Sequence, residues 1–572
     1  MKTPNEEKLY RDFNAGKLSR RGFIRRAAAL GVIAQAPLFL SAAHAQTTSS
    51  DAYDYIVIGA GSAGCAVAAR LSEDPDSKVL VLEAGPADTN QYIHIPATFP
   101  LLFGTEMDWN YTSTPQDKLD GGTFYLPRGK MFGGCSSINA QIYQRGHTST
   151  YDAWGETNKG WSYADLLPLF KKSEGNSRGA SDVHGGDGPL GVTELNDPNP
   201  ISLAMVKGAG EAGYVLNDDF NDGDQTGFGM YQVTQKDGKR ASAAVSYLHP
   251  AIDAGRLTAQ ADAMVTRIEI TDGRATGVTF TAGGESFTVT ARKEVIVSGG
   301  AFNSPHILMM SGIGPRAHLE EYGITVVHDL PGVGQNLQDH FMMPVVYECT
   351  QPISLTHAGD EAQGALFAEG KGLLTSNIGE AGGFLTVDPG SAAPDLQFHF
   401  IPGYFILDGA GNPTDGSDGM TIMPSLVQSK GTGSVQLVSG DPMVKPSVNP
   451  NVFQNESDYA VLIEGVRIAR EIFAASAMDE FRGAEMLPGP DVQSDEDLKA
   501  FINKYIQTIY HPVGTCKMGN DDMAVVDHEL RVHGIAGLRV ADASIMPTII
   551  NANTNAPSIM IGEKCADLIR SA

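Results

Sequence analysis

Cysteine is scarce in this 572-residue chain, with only Cys65, Cys135, Cys349, Cys516 and Cys565. The odd count and wide spacing exclude a disulfide framework as the organising device. With no CxxC pair and no histidine cluster at ligand spacing, no metal is expected. Tryptophan occurs three times. No apolar run reaches the roughly 18 to 20 residues of a membrane span, so none is expected in the mature chain. Basic residues are also short, with 41 Lys and Arg against 67 Asp and Glu, a formal charge of −26. That balance makes nucleic acid an unsuitable partner.

The positive charge that exists is concentrated at the start. Ser19-Arg20-Arg21-Gly22-Phe23-Ile24-Arg25 resembles a twin-arginine export signal, Ala27 to Ala43 is moderately apolar, and Ala43-His44-Ala45 fits a small-residue cleavage site. Residues 1–45 are therefore read as a signal peptide, and the protein as periplasmic or secreted. This segment holds eight Lys/Arg and three Asp/Glu, leaving 33 basic against 64 acidic residues, a net of −31.

What is present in strength is one stretch, Tyr55 to Gly85. Tyr55-Ile56-Val57-Ile58 reads as a strand buried on both faces, and it runs into Gly59-Ala60-Gly61-Ser62-Ala63-Gly64 and a small-residue helix to Ser72. A second apolar run, Val79 to Leu82, ends at Glu83. Glycines permit the tight turn and the close approach of a pyrophosphate. The helix start offers free N–H groups, and the acid can accept from ribose hydroxyls. Gly59, Gly61, Ser62, Gly64 and Glu83 are thus candidate dinucleotide-binding residues.

Two further stretches carry a resemblance. Gly133-Gly134-Cys135-Ser136-Ser137-Ile138-Asn139 and Gly300-Ala301-Phe302-Asn303-Ser304-Pro305 through Ser311-Gly312-Ile313-Gly314 resemble the two signatures of the glucose–methanol–choline (GMC) oxidoreductases. The resemblance runs from about Asp51 to the end. It implies FAD, with contacts at Gly133, Ser137, Asn139, Val265, Asp542, Asn553 and Thr554. It also implies an α/β fold, a Rossmann-like FAD-binding domain interleaved with an α+β substrate domain on an antiparallel sheet. The expected division gives residues 51–154, 246–335 and 505–572 to the FAD domain, and 155–245 and 336–504 to the substrate domain. Some family members attach FAD through a histidine in the first signature loop. Ile138 stands there, so non-covalent FAD is expected.

The chemistry is expected at the C-terminus. In Tyr510-His511-Pro512-Val513-Gly514-Thr515, proline biases His511 to extended backbone. The resemblance places this imidazole at the flavin, with Asn553 as second active-site residue. Asn555 is read as capping a last helix, Ser558 to Arg570, and Ser304-Pro305 as another helix start. Asp339 and His340 are read as structural, and His399 as either a satisfied strand residue or a pocket residue. The expected reaction is oxidation of a primary alcohol, with a quinone, a cytochrome or oxygen as electron acceptor. An alcohol oxidase and a non-oxidative hydroxynitrile lyase are the alternatives. Neither the alcohol nor the oligomeric state is legible.

Overall fold

The structure, a computed structural model, describes residues 51–405 and 417–571. The expected export segment, residues 1–45, lies outside the described residues.

The wholly apolar, buried strand Val79–Leu82 and the apolar end of Ala52–Ile58 suit a sheet covered on both sides, and the two pair in parallel. Ala52–Ile58 lies between Val79–Leu82 and Glu285–Val297, with Thr258–Gln260 on the outer edge of Val79–Leu82. The long strand Glu285–Val297 serves two neighbours. Its first half pairs antiparallel with Arg274–Ala282, which continues to Met264–Thr271, while Val295–Val297 pair in parallel with Leu538–Val540. Segments from three separated parts of the chain thus form one sheet. The carboxyl ends of Ala52–Ile58, Val79–Leu82, Glu285–Val297 and Leu538–Val540 open on one crevice, where ligands of open parallel sheets bind.

The second sheet is antiparallel, in the order Arg482–Leu487, Val345–Cys349, Gly419–Leu426, Leu396–Ile401, Ala381–Leu385, Gly227–Met230. Phe341–Met342 joins it through Gly419–Leu426 and also pairs with Gln507–Thr508. Alternation along Leu396–Ile401 sorts its side chains. Leu396, Phe398 and Phe400 enter the core shared with helices Pro200–Glu211 and Ser457–Ala474, and His399 and Ile401 face the crevice. Ser434–Gln436 forms a separate ribbon with Ser447–Asn449.

Two helix starts differ from expectation. The helix within the second signature begins at Gly300, not at Ser304, and Pro305 lies inside Gly300–Met310. Proline lacks the N–H that would bond the Ala301 carbonyl, and Thr515 Oγ1 donates to that oxygen instead at 2.6 Å. Ser304 Oγ accepts from Gly299 N at 3.0 Å and donates to Asp542. The last helix spans Asn555–Arg570 with Thr554 at its N-cap position, so Asn555 is its first residue. Its side chain accepts from Ser62 Oγ at 2.7 Å.

A buried ionic cluster pins the segment after the first signature loop. Arg145 Nη2 lies 2.5 Å from Glu174 Oε2, and His184 bridges Glu174 at 3.0 Å and Asp219 at 2.7 Å. Hydrogen bonds to Asp219 and Glu174 outweigh burial and raise the His184 imidazole to about 9. Burial raises Glu174, but the facing His184 and Arg145 leave it below its ordinary value. A histidine raised in the folded state contributes stability that is complete below its unfolded pKa of about 6.5 and is lost as pH rises through about 9. His184→Gln is therefore expected to lower the thermal midpoint most near pH 6, with the gap to wild type narrowing above pH 9. A gap that is flat or widens with pH would contradict this reading.

Candidate active site

The crevice is a cavity of about 1930 Å³, its open mouth included, running from the glycine turn to the antiparallel sheet. At one end the helix Ser62–Leu71 begins. Gly59 has φ +96°, and a Cβ there would meet the Ser298 carbonyl at 2.5 Å. A Cβ on Gly61 would find only that carbonyl, at 3.9 Å, so its outer side opens on the cavity. Glu83 accepts from Ala60 N at 2.9 Å and Gly85 N at 3.0 Å, and burial pushes its carboxyl up to about 7 against those bonds. Val265 lines the same end.

Not every expected residue reaches the cavity. Gly59, Gly61, Ser62, Glu83, Asn139, Val265, Asp542, Asn553 and Thr554 line it, as does His511. Gly64, Gly133 and Ser137 are not among the lining residues. A Cβ on Gly64 would stand 2.0 Å from the Gly59 carbonyl, so Gly64 lets the helix lie against the turn. Gly133 has φ +86°, and Ser137 Oγ donates to the Phe132 carbonyl at 2.8 Å, closing the signature loop on itself. Gly134, one residue on, takes the lining position, and a Cβ there would meet Gly61 Cα at 2.7 Å. Asp542 accepts from Gly300 N at 2.8 Å, Ser544 N at 2.8 Å and Ser304 Oγ at 2.5 Å, occupying the start of helix Gly300–Met310.

At the other end, His511 and Asn553 converge. Asn553 Nδ2 lies 3.4 Å from His511 Nε2, and Gln397 Nε2 donates to Asn553 Oδ1 at 2.9 Å, which fixes the orientation of the amide. With the amide donor facing it, Nε2 is assigned as the acceptor and the ring proton to Nδ1. There it meets His340 Nδ1 at 3.0 Å. Both backbone N–H groups, of His340 and His511, donate to Asp339 Oδ1 at 2.8 Å. Asp339 and His340 thus both contact the segment that carries His511. Arg128 donates to the carbonyl of Tyr510, whose φ of +66° is left-handed.

Burial dominates the titration here. His511 falls well below its ordinary value because it is buried and because His340, His399 and Arg128 surround it. His340 and His399 are each lowered to about 3, first by burial. Asp339 is pushed up to about 7 by burial despite Arg128. The imidazoles are neutral at physiological pH, and His511 can accept a proton.

Sequence reasoning missed Gln397 and Arg128. Gln397 stands two residues before His399 on one strand and so on the same face, which was a usable signal. Arg128 gave none beyond its place before the signature loop.

The geometry can be set beside known proteins. Residues 53–342 and 429–562 match the two parts of the GMC oxidoreductase family. The mitochondrial choline dehydrogenase of Homo sapiens is 42% identical over 546 residues, covering 92% of this chain and 91% of that one. The alcohol dehydrogenase [acceptor] of Pseudomonas putida is 43% identical over 528 residues, 90% and 95% of the two chains. Among solved structures, the formate oxidase of Aspergillus oryzae, described by the modification of its FAD, superposes with a TM-score of 0.86 at 28% identity, over 92% and 99% of the chains. Pyridoxine 4-oxidase gives 0.84 at 29%, over 91% and 99%.

The residues present fit FAD. The starts of helices Ser62–Leu71 and Asn555–Arg570 have no side-chain cap and open on the cavity, so their N–H groups suit a pyrophosphate and an electron-rich ring. A Cβ on Gly300 would also project into open space there. His306 lines the wall, and its buried Nε2 has no hydrogen-bond partner among the described residues. On these grounds, and on a match spanning both halves of the chain, the protein belongs to the GMC oxidoreductases, FAD-dependent enzymes that act on CH–OH donors.

Proposed function

We propose that the protein oxidises a primary alcohol to an aldehyde, and that His511 is the residue taking the hydroxyl proton. The observation that carries this is the meeting of His511 Nε2 and the Asn553 amide, 3.4 Å apart on the wall of one cavity. An alcohol oxygen on the cavity side of this pair, within reach of both nitrogens, would give its proton to Nε2 and receive a hydrogen bond from Asn553 Nδ2 as alkoxide character grows. His340 stabilises the imidazolium less than a carboxylate would, because it is neutral. The proton acquired is therefore readily passed on. FAD, when bound, supplies the two-electron acceptor for the carbon-bound hydrogen transferred as hydride. Glu83 and Asp542 serve as cofactor-holding residues that do not react. The uncapped start of Asn555–Arg570 favours negative charge at that end of the cavity.

His511→Ala should retain flavin and slow its anaerobic reduction by alcohol about 100-fold or more, a general base's usual contribution. An unchanged reduction rate rejects the assignment.

We further propose that the flavin is not covalently attached. The side chain at the family's attachment position, Ile138, has no nucleophilic atom, although it lines the cavity. Acid precipitation should leave the yellow colour in the supernatant, and colour kept in the pellet contradicts it.

The electron acceptor is proposed to be a quinone or cytochrome outside the cytoplasm. The Pseudomonas putida relative, named for an unspecified acceptor, and the twin-arginine motif of residues 19–25 support this over an oxygen-using oxidase. Reduced enzyme should be reoxidised faster by a soluble quinone than by air-saturated buffer, and the reverse order would make it an oxidase. Choline and uncharged primary alcohols both fall within this chemistry.

A further inference from the structure

The wall of the cavity around His511 is unusual in what charges it presents. Phe99, Met342, Ile378, Ile401 and Met423 form one buried apolar cluster there, with Phe405 and Ile509 packed against it. Ile401 shares a strand with His399, Met423 pairs directly with His399 across the sheet, and Ile509 lies two residues before His511. The cluster is therefore the cup in which the body of a substrate must sit when its hydroxyl reaches His511.

Among the described residues lining the whole cavity, the only carboxylates are Glu83 and Asp542. Both are committed elsewhere. Glu83 is held by Ala60 and Gly85 beside the glycine turn, and Asp542 by Gly300, Ser304 and Ser544 at the start of a helix. The permanently charged side chain that does line the cavity beside Tyr510 is a cation, Arg128. Asp339, behind the histidines, is outside the lining, and burial raises its carboxyl towards the neutral form.

Aromatic faces could in principle receive a quaternary ammonium. Of the rings here, Phe103 meets Phe99 at 5.8 Å and Tyr510 at 6.0 Å in T-shaped pairs, so these three pack on one another. A cation in this cup would be stripped of water beside Arg128, without a counter-charge among the described residues, which is unfavourable.

We propose that the substrates are uncharged alcohols with an apolar body, and that the site discriminates against the trimethylammonium group of choline. This rests on the alcohol-oxidising reading above and specifies its substrate class. Reaction balance is unchanged. The alcohol loses a proton to His511 and a hydride to the bound flavin, and leaves as the aldehyde, whether or not the remote group is charged.

The test compares choline with its neutral isostere, 3,3-dimethylbutan-1-ol, on the holoenzyme. Flavin absorbance is followed anaerobically, with a series of straight-chain primary alcohols alongside. The isostere should reduce the flavin with kcat/KM at least about 100-fold above choline, and kcat/KM should rise with chain length as each added methylene leaves water. A choline kcat/KM equal to or above that of the isostere overturns the proposal while leaving alcohol oxidation standing. Reduction by none of these alcohols overturns both.

Discussion

The structure depends on how closely two helices from opposite ends of the chain can approach at their starts. Ser62–Leu71 and Asn555–Arg570 pack with Gly562 against the backbone of Ala63, where an added Cβ would fall 2.4 Å from a carbonyl oxygen. A methyl forced into such a contact typically costs about 1–3 kcal/mol, and here it would also separate the two helix starts. Ser62 and Asn555 join those starts by a side-chain hydrogen bond. Further along, the fully buried Glu563 takes Arg70 at 2.8 Å and Lys172 at 3.2 Å, and accepts from Tyr247 at 2.9 Å. Removing one partner from such a buried pair costs about 3–5 kcal/mol, so the register of the helices is firmly set. The cavity lies between ends that this packing fixes, with one positive dipole end from each.

Electrostatics in the cavity follow from that arrangement. Partial positive charge comes from backbone at the helix starts, and the side chains that could add full charge are suppressed by burial. Three imidazoles gather around the reactive end, and each is held neutral at ordinary pH. A protonated histidine at rest could not act as a base, so the desolvation that makes the cluster costly to build also keeps it in the working form. Fixed dipoles need no reorganisation when charge develops, which is where preorganised sites gain most.

Legibility in the sequence tracked the range of the interaction. The strand–glycine–helix–strand unit from Tyr55 to Glu83 was readable because every part of it acts on its neighbours along the chain. The family resemblance named His511 and Asn553 together, and their side chains do meet although 42 residues separate them. What failed was set by contacts between distant segments. Pro305 looks like a helix start, and it is internal only because Thr515, some two hundred residues later, satisfies the carbonyl that proline leaves open. Asn555 looks like a cap, and it is the first helical residue because its side chain is engaged by Ser62. Gly64, Gly133 and Ser137 belong to the right motifs, yet they shape backbone one layer behind the cavity.

The left-handed Tyr510 shows how the two sheets share the site. A non-glycine residue at φ +66° is strained, and such strain persists only where surroundings over-determine it. Three constraints converge on it here. Arg128, from the loop of the FAD domain, takes the Tyr510 carbonyl, Asp339 takes the next N–H, and Phe341–Met342 pairs with Gln507–Thr508 immediately upstream. The turn that results puts Ile509 into the apolar cup and His511 against His340 and Asn553. Because the anchors come from both domains, the imidazole is placed by their packing together. Neither sheet alone holds it, so the interleaved path of the chain is a condition for the chemistry.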